Sequence, residues 1–380
     1  MKRASSDDRP ATSTPGVGTV TLIGSGEMTE SMGRVHRAIL SRIAEPVRAV
    51  FLDTPAGFQL NADDLSARAR LYFQQRLGVA LEVASFKSAA QATPAIAEAA
   101  LAALREANFI FAGPGSPSYA ARQWLGSPLA AALGQRLAAG AHIVLASSAA
   151  IAAGRHALPV YEIYKVGQEP HWVSGIDLLG PYGIELAIVP HWNNREGGTH
   201  DTRYAYIGEP RLRMLEEMLP DSAVIFGVDE YTACTIDLAR GDCLVMGAGG
   251  VTIRQKGRER LFESGSRFSL GWLVQGPGAH ATDLRHAEEP QAPSAPNVEP
   301  PPAEQSEGLP FRVKNESFQP PHEPEQPSVE ADLVDLLVEI RAQLRRDQHW
   351  ALADEIRHRL AELGIILEDG REGTVWKKVT

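Results

Sequence analysis

The chain reads as an α/β protein: a three-layer sandwich with a mostly parallel sheet, then a linker and a small separate tail. Three observations predict this. Short apolar, β-branched runs alternate with helical stretches between residues 18 and 278. Eleven prolines gather in residues 279–328, with nine acids against three Lys/Arg. From Asp332 the apolar residues begin to recur at three and four, the spacing of an amphipathic helix.

Residues 1–17 are polar and turn-rich and predict a disordered leader without a signal-peptide core. The body, 18–278, follows. Val20–Ile23, Val47–Leu52, Val79–Ala84, Phe109–Phe111, Ile143–Ala146 and Ile184–Val189 have the pattern of strands covered on both faces. Thr93–Glu106, Ser118–Trp124 and Leu129–Ala138 lie between them as helices, which implies right-handed crossovers. Tyr231–Asp237 and Cys243–Met246 flank a hairpin turn at Ala239–Asp242. Pairing Leu238 with Cys243 sets Cys234 opposite Gly247, so no Cys234–Cys243 disulfide is expected. Residues 279–328 cannot bury enough apolar area to order themselves and form an acidic linker. Its island Leu309–Val313 is either a docking peptide or, more simply, an apolar patch in a tether.

Composition excludes several classes. The 37 Lys+Arg against 47 Asp+Glu, net −10, oppose a chain that coats phosphate backbones. The 2 cysteines exclude a disulfide scaffold and a Cys-rich zinc module. No apolar run reaches the roughly 18 residues of a membrane span, so no membrane partner and a cytoplasmic location are expected.

In open parallel sheets, sites form beyond the carboxyl ends of the strands. His142–Ala146 runs straight into Ser147-Ser148-Ala149-Ala150, a strand entering an Ala-rich helix. A nucleophile on such an elbow needs small residues two before and two after it. Ser148 has Ala146 and Ala150 there, whereas Ser147 has the bulkier Leu145. Ser148 is therefore the expected nucleophile, with the Ala149 N–H facing the oxyanion. Taken alone, the pattern is also that of an ordinary tight strand–helix turn.

The run Ala146–Ile151 resembles the Gly-x-Ser-Ala-Gly-Ala elbow of the peptidase S51 group, dipeptidase E and cyanophycinase. Leu22-Ile23-Gly24-Ser25-Gly26-Glu27, Phe111–Pro117, Val189-Pro190-His191-Trp192 and Gly227–Ala233 resemble further motifs of that group, in its order. The resemblance covers roughly residues 18–255. It implies the class I glutamine amidotransferase-like (flavodoxin-like) fold and serine hydrolase chemistry. It further implies His191 as general base, Gly115 as a second oxyanion donor, and a small peptide or isopeptide as substrate. For the triad acid it implies Glu162, with Glu230 and Asp201 as rivals. Both elbow glycines are alanines here, Ala146 and Ala150, and His191-Trp192-Asn193 lacks the acid of a true amidotransferase. A catalytically silent binding domain is the alternative. Arg195 and Arg203 follow His191 and suit a carboxylate clamp for the group's aspartyl peptides, or are simply solvated. His191, His200 and Asp201 fall short of a metal set, and no cofactor is expected.

The tail, 329–380, reads as a helical hairpin. Leu333, Leu336, Leu337, Ile340 and Leu344 mark the first helix, and Ala351, Ala353, Ile356 and Leu360 the second. Gly364 stops it, and a strand at Ile365–Leu367, a turn at Asp369-Gly370 and Thr374-Val375-Trp376 follow. Trp350–Trp376 resembles the C-terminal end of cysteinyl-tRNA synthetase, which implies tRNA as a partner. The synthetase's own signatures are absent from the chain, so the resemblance does not extend to its activity. Eight Lys/Arg against eleven Asp/Glu give the tail the wrong sign for most RNA binders. Arg341, Arg345 and Arg346 with Trp350 form either a local binding face or plain helix-surface charge.

Overall fold

The computed structural model describes residues 16–197, 200–279, 329–346, 365–370 and 373–378, with scattered positions between 353 and 360. The leader before residue 16, the linker 280–328 with its 309–313 island, Trp350 and most of the second tail helix lie outside the described residues. The chain divides into two compact units, Met1–Ser294 and Ala295–Thr380.

In the first unit the elements run β1 Thr19–Ile23, α1 Glu30–Leu40, β2 Ala49–Leu52, α2 Ala62–Tyr72, β3 Leu81–Ala84, α3 Pro94–Glu106 and β4 Phe109–Ala112. Next come α4 Pro117–Leu125, α5 Leu129–Ala138, β5 His142–Ala146, α6 Ser148–Ala153, β6 His156–Ala157, α7 Val160–Tyr164, β7 Val173–Ser174 and β8 Leu186–Val189. The unit ends with α8 Glu209–Glu217, β9 Val224–Val228, β10 Thr232–Asp237, β11 Asp242–Gly247, β12 Gly250–Gln255, β13 Arg258–Glu263, β14 Arg267–Ser269 and α9 Gly271–Ala279.

An eight-stranded sheet in the order β14-β11-β10-β1-β5-β4-β2-β3 forms the centre. From β1 to β3 its neighbours are parallel, and β10, β11 and β14 extend it antiparallel. The strands alternate sides. Val20, Leu22, Ile143 and Leu145 pack with α3–α6, whereas Ile23, Phe111, Val144 and Ala146 pack with α1 and α2. Apolar runs without polar alternation arise because both faces are covered.

Two expectations change. The strand ending at Val189 does not join the large sheet. It pairs in parallel with β9 in a second, four-stranded sheet, β13-β12-β9-β8. The β10–β11 hairpin also turns one residue earlier than expected, over 238–241 and not 239–242. Ile236 lies opposite Cys243, so Cys234 faces Val245, which makes the two free, buried cysteines diagonal neighbours. The Asp237 side chain closes the turn early by accepting the Arg240 N–H at 3.0 Å.

In the second unit, α10 Val329–Arg346 accompanies an antiparallel hairpin of β15 Ile365–Gly370 and β16 Gly373–Lys378. Val334, Leu360, Ile365 and Leu367 form its core, and the Trp376 indole donates to Asp335 at 2.7 Å. Arg341 is not part of a surface face: it is 1% exposed and donates to Thr374 Oγ1 at 3.5 Å.

Candidate active site

Strand β5 delivers two adjacent serines to very different surroundings. Ser147 stands between β5 and α6 at φ 51°, ψ −114°, a conformation that side-chain-bearing residues avoid. Its N–H donates to the Ile23 carbonyl at 3.0 Å, which ties the elbow to the end of β1. Its hydroxyl donates to His191 Nε2 at 3.0 Å. Ser148 begins α6, is buried, and turns its hydroxyl the other way, onto the Gly115 carbonyl at 2.8 Å. The geometry therefore corrects the expected residue: His191 meets Ser147, not Ser148. Leu145 does not crowd the elbow, because its side chain leaves the strand into the α3–α6 core, where bulk is accommodated.

His191 follows β8 at φ 49°, again a strained position. Its carbonyl accepts the Asn194 and Ala205 N–H groups, each at 3.2 Å, which fixes the turn. Its Nδ1–H donates to Glu230 Oε1 at 3.1 Å, and the Asn194 amide donates to the same oxygen at 3.0 Å. A proton on Nδ1 leaves Nε2 as the acceptor that Ser147 needs. Glu230 leaves β9 on a short turn to β10. Its own N–H donates to Asn193 Oδ1 at 2.9 Å, and the next N–H, on Tyr231, to Ser25 Oγ at 3.1 Å. Gly24 lets this turn approach: a Cβ there would strike the Asp229 carbonyl. Ser147, His191 and Tyr231 all have positive φ, so backbone strain accompanies the serine, the histidine and the residue after Glu230.

The other sequence candidates lie elsewhere. Glu162 is not at His191; it accepts a hydrogen bond from Ser118 in the first turn of α4, where a carboxylate suits the helix dipole. Asp201 receives Arg203 in a fork, at 2.9 Å from Nε and 2.8 Å from Nη2, and the Glu209 N–H at 3.0 Å. These bonds hold its carboxyl far below the usual range. Arg203 is therefore already engaged and offers no free fork to a substrate carboxylate. His200 stacks near Tyr164, with ring centroids 6.4 Å apart. Among the described residues no group of three or more His, Cys, Asp or Glu could hold a metal ion.

Gly115 ends the loop after β4. Ser116 N–H donates to the Pro55 carbonyl at 2.9 Å, and a Cβ on Gly115 would lie 2.6 Å from Ala56 N. Ala149, expected as an oxyanion donor, is fully buried one position inside α6. With Ser147 at the elbow, the N–H that follows it is that of Ser148. Glu27, in the turn after β1, has no role among the residues expected from the sequence. Burial raises the affinity of its carboxyl for a proton, while the charge of His191 lowers it. His36 Nε2–H donates to the Glu27 carbonyl at 2.8 Å from within the core. The signal was present in the glycine turn Gly24-Ser25-Gly26 after β1, a natural place for a side chain at the sheet's carboxyl edge.

No protein-family model matches the chain. A peptidase from an acI-B1 Actinobacterium superposes with a TM-score of 0.55 at 19% identity, covering 67% of this chain and 98% of that one. Cysteine–tRNA ligases match over a short stretch: that of Thermococcus gammatolerans is 56% identical over 48 residues, and that of Fusobacterium nucleatum 47% over 49. The stretch is 13% of this chain and spans only 10% of either ligase. Both resemblances read from the sequence are met: the body shares its fold with a solved peptidase, and a short segment is similar to cysteine–tRNA ligases.

Proposed function

We propose that the body is a serine hydrolase that cleaves a small peptide or isopeptide amide, with Ser147, His191 and Glu230 as its triad. The observation that carries this reading is the unbroken line Ser147 Oγ–His191 Nε2, His191 Nδ1–Glu230 Oε1, at 3.0 and 3.1 Å. His191 takes the Ser147 proton as the oxygen attacks the amide carbonyl, then gives it to the leaving amine. Glu230 holds the tautomer and balances the imidazolium. The N–H groups of Ser148 and Gly115 are the donors for the tetrahedral oxyanion. The Ser148 hydroxyl takes no part in bond making. Through Gly115 it holds the two donor segments together. Water then repeats the sequence on the acyl-enzyme and releases the acid.

A fluorophosphonate probe tests the assignment. Labelling is expected in the wild type and in Ser148→Ala, and is lost in Ser147→Ala and His191→Ala. Equal labelling of Ser147→Ala and wild type overturns the nucleophile. No labelling of the wild type favours the silent binding domain.

A further inference from the structure

Two consecutive asparagines grip Glu230 from the segment that carries His191. Asn193 Oδ1 accepts the Glu230 N–H at 2.9 Å. Asn194 is 1% exposed and donates from Nδ2 to Glu230 Oε1 at 3.0 Å. The same oxygen accepts the His191 Nδ1–H at 3.1 Å. A carboxylate oxygen has two lone pairs, so these two donors fill it. The direction of the Asn194 amide is fixed from its other end. Its Oδ1 accepts the Glu196 N–H at 3.1 Å, an Asx turn that leaves the NH2 group to face Glu230. The Asn194 backbone is held separately, its N–H donating to the His191 carbonyl at 3.2 Å.

Resting on the Ser147 reading, we propose that Asn194 is a positioning residue of the relay: it holds the Glu230 carboxylate against His191 Nδ1. The Glu230 side chain is 23% exposed, so water competes for its oxygens. The bond to His191 alone would let the carboxylate swing out towards solvent. A second donor on the same oxygen, from a buried amide that cannot itself turn, removes that freedom. The amide is also neutral. Unlike a lysine or arginine in its place, it steadies the carboxylate without cancelling the charge that balances the imidazolium. Because Asn194 lies three residues after His191, one short segment sets base and acid relative to each other. Asn194 acts only through Glu230.

Asn194→Asp separates the two bonds of this side chain. Aspartate accepts the Glu196 N–H as asparagine does, so the turn is kept, but it turns a second carboxylate oxygen towards Glu230 where the donor stood. The readout is the maximal rate at which a fluorophosphonate phosphonylates Ser147, with the half-saturating probe concentration measured alongside. Asn194→Asp and Asn194→Ala are each expected to lower the maximal rate by about tenfold or more, the contribution of one hydrogen bond to a charged group. The half-saturating concentration is expected to stay unchanged. In a Glu230→Ala background, adding Asn194→Ala is expected to cost less than about twofold, because nothing is left for the amide to hold. A rate for Asn194→Asp within about threefold of wild type overturns the proposal and leaves Asn194 a turn-forming residue. A loss that appears only in the half-saturating concentration overturns it too, as does a loss undiminished in Glu230→Ala. Any of these with the wild type labelled at Ser147 refutes this inference alone. Absence of labelling at Ser147 in the wild type refutes the reading beneath it as well. Should Asn194→Asp not fold, Asn194→Ala in the two backgrounds decides.

Discussion

Gly115→Ala is the sharpest test of the oxyanion geometry. The new Cβ would lie 2.6 Å from Ala56 N and closer still to the Pro55 carbonyl. Unbonded heavy atoms rest about 3.5 Å apart, so the loop must withdraw by about 1 Å from Ala56 N and by more from the Pro55 carbonyl. Both obstacles are backbone, and the Ser116 N–H bond to Pro55 at 2.9 Å locks the same two segments, so neither yields easily. The shift also reaches the elbow, because Ser148 holds the Gly115 carbonyl at 2.8 Å. Overpacking of this kind costs about 1–3 kcal/mol of stability. A donor misplaced by about 1 Å costs about 100-fold in rate. The assay is the rate at which a fluorophosphonate phosphonylates Ser147 in the two proteins, with thermal unfolding measured alongside. A lower Tm with a phosphonylation rate within about threefold of wild type would refute the reasoning. Gly115 would then be a packing position and no part of the site.

Glu230→Gln keeps the shape but removes the charge that balances the imidazolium, so kcat is expected to fall by about 10³-fold or more. A loss below about tenfold in steady-state kinetics would remove Glu230 from the triad. His36 gives a stability signature. Burial lowers its pKa from 6.5 to about 4, so the unfolded chain binds the extra proton between those values. Its contribution is intact above pH 6.5 and is lost as the pH falls towards 4, by about 3 kcal/mol in all. Denaturant unfolding of wild type and His36→Gln should show the wild type losing that much more stability across the window; parallel curves would contradict it.

The strands were legible because a buried parallel sheet writes itself as short apolar runs. Val20–Ile23 and Ile143–Ala146 lie within a residue of β1 and β5. The sheet to which each run belongs was not legible. Leu186–Val189 is buried on both sides wherever it is placed, and only its partner Val224–Val228 reveals the second sheet. At the site, His191 was found because it ends a strand. The choice between Ser147 and Ser148 depended on a backbone angle, and Leu145 showed only size, not direction. Glu162 and Glu230 each lie beside a tyrosine in a short segment, and nothing in either segment alone assigns the acid to His191. They are separated by what folds against them: Ser118 for one, His191 and Asn194 for the other. Arg203 looked available because nothing in one dimension shows that Asp201, two residues away, folds back onto it.

The two sheets divide the proposed relay between them. Ser147 hangs from the large sheet through β5, His191 from the small one through β8, and Glu230 from the turn where β9 of the small sheet passes to β10 of the large. During synthesis, serine and histidine emerge first, and the acid follows 39 residues after the histidine. At roughly 5–20 residues per second that is a delay of a few seconds. The strand that then inserts beside β1 is also the one that seats Glu230. On the proposed reading, an unfinished chain lacks the acid of the relay until the strand that joins the two sheets is in place.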